Sequence, residues 1–122
     1  MVQILVIEDD IQFSHMLEKM LQQDGHQIVT ASDGAEALKL LPTIKPDLIL
    51  TDILMPHLDG VETIMQLAQQ GSEVPIIAMS GGRRSISAAF NLDSAKLLGV
   101  KAVLAKPFSR ADLRLAIAES LA

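Results

Sequence analysis

Ile4-Leu5-Val6-Ile7-Glu8-Asp9-Asp10 is the stretch that decides the fold. Its apolar residues run without polar alternation, as a strand covered on both faces should read, and the run then breaks into three carboxylates. The predicted strand spans Gln3–Ile7. Outward from it the pattern alternates. A helix is expected over Ile11–Gln23, with Phe13, Met16, Leu17, Met20 and Leu21 on one face, closed by Asp24-Gly25. A strand follows at Gln27–Ala31. Asp33 is placed to cap the next helix, with Glu36 three residues on in capping-box spacing, and that helix is expected to stop at Pro42. Further strands are predicted at Leu48–Asp52, Ile76–Ser80 and Ala102–Ala105. Helices are predicted over Val61–Gly71, Ile86–Leu98 and from Ser109-Arg110-Ala111-Asp112, a second capping box, to Leu121. Five strands alternating with five helices through short loops argue a doubly wound α/β fold, a parallel sheet covered on both faces.

Composition narrows the function. The chain has 122 residues, 49% hydrophobic, enough for a core of ordinary single-domain size. Apolar runs such as Leu48–Leu54 and Val74–Met79 are strand-sized, far short of the ~18 residues of a membrane helix. With no Cys, thiol nucleophiles and Cys metal sites are excluded. The three His lack metal-ligand spacing. Ten basic residues against fifteen acidic ones, a net charge of −5, leave no basic stripe for nucleic acid. Aromatic content is 2%, too little for a base-stacking platform. The start of the chain has no basic leader and no cleavage site, so a cytoplasmic location is expected.

In doubly wound sheets ligands bind at the carboxyl ends of the strands. The predicted strands end in Glu8-Asp9-Asp10, Asp52, Ser80 and Lys106-Pro107. Carboxylates brought together from different strands repel unless a cation lies between them. An all-oxygen donor set with few carboxylates suits Mg²⁺. Lys106 and Ser80 add a point charge and a hydroxyl donor for an arriving phosphoryl group. A carboxylate in that setting can itself accept the group as an acyl phosphate, and Asp52 is the best-placed nucleophile. Singly, each of these residues reads as a turn, a cap or a surface charge. Their coincidence at the strand ends of one alternating pattern points to a site.

The stretches ILVIEDD (4–10), LILTDILMPHLDG (48–60), PIIAMSG (75–81) and AVLAKPF (102–108) resemble, in order and over essentially the whole chain, the response-regulator receiver domain of two-component phosphorelay signalling. The resemblance implies a flavodoxin-like sheet in the order 2-1-3-4-5 and one receiver domain over residues 1–122. It implies phosphorylation of Asp52 by a histidine kinase or histidine phosphotransfer protein. Glu8, Asp9, Asp52 and the backbone carbonyl of Leu54 would hold Mg²⁺, Lys106 would pair with the phosphoryl group, and Ser80 would swing toward it. The Lys106–Pro107 bond would be cis, and Asp10 is better read as a helix cap than as a ligand. Such a chain is a signalling protein that catalyses only its own phosphorylation and dephosphorylation. It contacts neither membrane nor nucleic acid itself, and a homodimer is compatible with it.

The sequence departs from the family's pattern at points that bear on function. Many receivers carry Tyr or Phe three residues before the lysine, as part of the switch; here that residue is Val103. The segment between Ser80 and Lys106 is a few residues longer than usual, with Gly81, Gly82, Arg83 and Arg84 at its start. The two arginines read first as a solvated loop and second as contacts for a phosphoryl group or an acidic partner. Leu54 and Gly82 offer no polar side chain to orient an attacking water, which points to slow autodephosphorylation. Met16, at the flank of the first helix's apolar stripe, reads first as core and second as a contact for the phosphodonor. A flavin-binding domain would need a phosphate-binding loop where Glu8-Asp9-Asp10 stands. An aspartyl phosphohydrolase typically has a second Asp where Leu54 stands. A receiver that only docks partners is the remaining alternative.

Overall fold

The structure, a computed structural model, describes residues 2–52, 66, 73–80 and 100–122. In chain order its elements are β1 (Gln3–Ile7), α1 (Ile11–Gln23), β2 (Gln27–Ala31), α2 (Gly34–Ile44), β3 (Leu48–Asp52), β4 (Ile76–Ser80), β5 (Ala102–Ala105) and α3 (Arg110–Leu121). The five strands are parallel and ordered β2-β1-β3-β4-β5, so the doubly wound α/β sheet expected from the alternation is present. Both helices predicted between β3 and β5 fall outside the described residues, apart from the single position 66.

Burial explains why β1 and β3 lack polar alternation. Side chains along a strand point alternately to opposite faces, so a strand covered twice is apolar at successive positions, as at Ile4–Ile7 and 48–50; the buried Thr51 that follows satisfies its hydroxyl on the Asp52 carbonyl at 2.9 Å. Ile4 and Val6 enter one core layer with Leu48, Leu50, Ile77 and Met79, closed by Leu17 and Leu21 of α1 and Leu113 and Ile117 of α3. Leu5 and Ile7 enter the other with Ile49 and Ala37, with Leu38, Leu41 and Ile44 of α2 packed against them. β2, at the sheet edge, is covered less, and its Gln27 and Thr30 are exposed.

The helix ends follow their local chemistry. Asp10 caps α1, its Oδ1 accepting from the Phe13 N–H at 3.1 Å. Gly25 then takes φ 86°, a left-handed turn that glycine enters without a Cβ penalty. Asp33 caps α2 by accepting from the Glu36 N–H at 2.8 Å. The second half of that capping box is not made: Glu36 instead accepts from the Ser32 hydroxyl at 2.9 Å. Ser109 and Asp112 form the complete reciprocal box at the start of α3.

Pro42 does not end α2, which continues to Ile44. Proline removes one backbone donor, but the loss comes in the last turn, and Leu41 and Ile44 stay packed on the core. Termination comes at Lys45, left-handed at φ 46°, with its N–H bonded to the Leu41 carbonyl. The apolar stripe of α1 centres on Leu17 and Leu21, with Phe13 and Met20 half-buried beside them. Met16 is 42% exposed, and the small polar Ser14 takes a buried place on that face.

α3 is fastened to the end of α1 by charge. One oxygen of Asp24 accepts from Arg110 Nη2 and Arg114 Nη2, each at 2.6 Å, and the other accepts from Arg114 Nε at 3.1 Å. The hydrogen bonds from Arg114 and then Arg110 hold the Asp24 carboxyl well below the usual carboxylate range.

Two outcomes test this packing. Leu50→Ala, at a fully buried β3 position, should lower the unfolding free energy by ~2–5 kcal/mol in urea denaturation, the range for an emptied core site. Asp24→Asn should lower the melting temperature at neutral pH. Because pairing depresses the folded-state pKa, this stabilisation is complete above the ordinary value of 3.8 and is lost as pH falls below it. Melting curves of the two proteins should therefore converge in acid.

Candidate functional site

Parallel register brings the site together at the carboxyl edge of the sheet. Ile7 pairs with Thr51, so Glu8, the next residue, arrives beside Asp52 at the end of the adjacent central strand. The Glu8 N–H continues the ladder to the Ala31 carbonyl at 3.0 Å, which fixes where its side chain begins. Ser80 pairs with Ala105, so Lys106 leaves β5 at the same edge. Glu8 and Asp52 are buried, whereas Asp9 is exposed. Carboxylate oxygens of Glu8, Asp9 and Asp52 all lie within 4.8 Å of one another.

Lys106 reaches across this edge. Its Nζ donates to Asp52 Oδ2 at 2.8 Å and also to Glu8 Oε1. The other Glu8 oxygen accepts from the Asp10 N–H at 3.2 Å. Burial is the main cause that pushes the Glu8 carboxyl up, to about 7; the Lys106 hydrogen bond opposes it and the Asp52 charge adds to it. Burial alone would pull the Lys106 ammonium down, but its hydrogen bonds to Asp52 and Glu8 and their charges outweigh it and hold the group above its ordinary value.

An aromatic ring, backed by a second, lies on the lysine's other side. Lys106 Nζ lies 4.2 Å from the centroid of Phe13, over the ring. Phe13 meets Phe108 edge to face, with centroids 5.8 Å apart and planes at 89°. Sequence reasoning took Phe13 as core and gave Phe108 no role. Their spacing was readable, since Phe13 follows the cap Asp10 by three residues and Phe108 follows Lys106 by two.

Of the other residues singled out, Asp10 caps α1 and lies outside the three-carboxylate group. The Lys106–Pro107 bond is cis. Val103 is half-buried in β5 and pairs with Ala78. The backbone of Ser80 ends β4; its side chain, together with Leu54, Gly81, Gly82, Arg83 and Arg84, lies outside the described part of the structure. Ile11 is 71% exposed beside the site. Among the described residues no helix is long and apolar enough to cross a membrane.

Three oxygens from carboxylates on two neighbouring strands form a donor set for a hard divalent cation. Among the described residues, three carboxyl groups and one ammonium meet at this edge.

Comparison with known proteins identifies the family. The chain is 39% identical over 106 residues, 87% of its length, to the alkaline phosphatase synthesis transcriptional regulatory protein PhoP of Bacillus subtilis. It is 34% identical over 112 residues to the response regulator MprA of a Mycobacterium species. It spans 42% and 47% of those two proteins. Among solved structures, the Vibrio cholerae chemotaxis protein CheY4 superposes with a TM-score of 0.86 at 28% identity, over 99% of both chains. The receiver domain of the Francisella response regulator 1452 superposes at 0.80 with 30% identity. The sequence profile of the response regulator receiver domain matches residues 4–118, and the chain belongs to that family.

Proposed function

We propose that this chain is a phosphoacceptor receiver that takes a phosphoryl group onto Asp52 from a phosphohistidine of a histidine kinase or phosphotransfer protein. The observation that carries this reading is the buried Asp52 carboxylate, hydrogen-bonded to Lys106 at 2.8 Å inside a three-carboxylate group. One Asp52 oxygen attacks phosphorus as the N–P bond breaks. The bonding pair returns to the imidazole nitrogen, which takes up a proton, and an acyl phosphate is left on the protein. Lys106 stands where it can follow the charge as it moves from carboxylate to phosphoryl oxygen.

Glu8, Asp9 and Asp52, with the carbonyl of Leu54, would hold Mg²⁺. When bound, the ion neutralises the carboxylates and the phosphoryl oxygens. Burial raises the Glu8 carboxyl, and a cation beside it would favour its charged form. The complete acid and lysine arrangement argues against a receiver that only docks partners. As a signalling domain the protein turns over no external substrate beyond its own phosphoryl cycle. Its place of action on this reading is the cytoplasm.

Incubation with acetyl phosphate and Mg²⁺ should raise the intact mass by one phosphoryl group, and Asp52→Asn should abolish the gain. Labelling at another residue, or none, would overturn the reading. Mg²⁺ alone should raise the melting temperature of the unphosphorylated protein, since the ion binds the folded site and not the unfolded chain. At ten times its dissociation constant the stabilisation is roughly 1.4 kcal/mol. Asp9→Ala should lose most of that gain in the same thermal assay.

A further inference from the structure

All aromatic side chains here are phenylalanines, and there are three. Two of them, Phe13 and Phe108, pack together, and Phe13 lies against Lys106. The ammonium of Lys106 thus has three partners of two kinds: the Glu8 and Asp52 carboxylates, and the face of Phe13 at 4.2 Å. The carboxylates are also the groups that a divalent cation and the phosphoryl transfer would claim. The ring is different. It attracts a cation through its quadrupole but has no lone-pair acceptor to compete with a phosphoryl oxygen. A lysine side chain is a flexible stem with a point charge at its end, so what limits its rotamers decides where the charge sits.

Phe13 is itself held from two directions. Its backbone N–H is bound by the α1 cap, Asp10 Oδ1, and the Asp10 N–H is bound by Glu8 Oε2. Its ring packs edge to face with Phe108, two residues beyond the lysine. One short segment therefore supplies a carboxylate at residue 8 and a ring at residue 13 that both meet Lys106, with the helix cap at residue 10 bonded between them.

We propose that Phe13 is a positioning residue for Lys106, its ring face holding the ammonium toward Asp52 while the carboxylates are engaged elsewhere. The catalytic consequence rests on the phosphoacceptor reading, but the placement of the lysine does not.

The test compares Phe13→Leu, which keeps apolar bulk and loses the face, with Phe13→Tyr, which keeps both. The Lys106 ε-methylene NMR resonances should be shifted upfield by the ring in wild type and in Phe13→Tyr, and should lose that shift in Phe13→Leu. With acetyl phosphate and saturating Mg²⁺, the initial rate of Asp52 labelling should fall about three- to tenfold in Phe13→Leu. It should stay within about twofold of wild type in Phe13→Tyr, where the face is kept. The Mg²⁺ concentration at half-maximal thermal stabilisation should be unchanged in both, because Phe13 is no ligand. Equal slowing in the two variants, a rate unchanged in Phe13→Leu, a displaced Mg²⁺ midpoint or an unshifted lysine in wild type would each overturn the proposal. Failure of wild type to take any label would strike the phosphoacceptor reading instead, and the lysine shift would then decide the placement alone.

Discussion

Two buried carboxylates facing one ammonium set the terms for this molecule. Glu8 and Asp52 stand on adjacent central strands because parallel register leaves them no other place. Both are taken out of water, at 3% and 5% exposure, where like charges repel strongly. Lys106, arriving from β5 past the intervening β4, relieves part of that penalty. It cannot relieve all of it, because Asp9 brings a third negative charge to the same edge. A hydrophobic pair at these positions would be easier to bury. Among the described residues, acidic groups therefore outnumber basic ones at this edge of the sheet.

The sheet was legible because burial on both faces leaves a mark that survives without context. Leu48, Ile49 and Leu50 are all fully buried, and no polar residue could have interrupted them cheaply. The helix ends were legible where a side chain makes one local bond, as at Asp10 and Ser109. Pro42 misled because its rule concerns the helix interior, and one turn from the end little remains to be broken. Ser14 was missed for the opposite reason. A small polar residue on a buried face obeys the geometry of the helix and not the hydrophobic pattern that periodicity counts.

The acidic part of the site was legible for a related reason. Charged residues at the end of a buried strand are placed at the carboxyl edge of the sheet by strand register, so their position in sequence fixes their position in space. The lysine's aromatic surroundings are not of that kind. Phe13 satisfies the apolar stripe of α1 and contributes to the core, so its spacing alone gives no reason to look for a second role. Only the fold shows that the edge of the stripe meets the end of β5, where Lys106 and Phe108 emerge. Val103 points the same way. A missing aromatic is visible in one dimension, but the rings that stand near the lysine come from α1 and from the segment before α3.

This placement bears on how a change at Asp52 would be felt. An acyl phosphate carries more negative charge than the carboxylate it replaces, and it projects farther from the strand end. The nearby ammonium is the cationic side chain that touches both buried acids, so the new charge acts first on Lys106. A lysine held only by carboxylates would simply follow the charge. One that also lies over Phe13 moves against a ring fixed by the α1 cap and by Phe108, so its displacement loads α1 and the start of α3 together. Those two helices are already joined at their other contact, where Arg110 and Arg114 share Asp24. The ionic clamp ties the far end of α1 to the first turns of α3, so a push on the ring contact is resisted by a second tie between the same two helices. A rigid response of the two helices is favoured over independent shifts of either, since separating them would cost both the ring contact and the clamp.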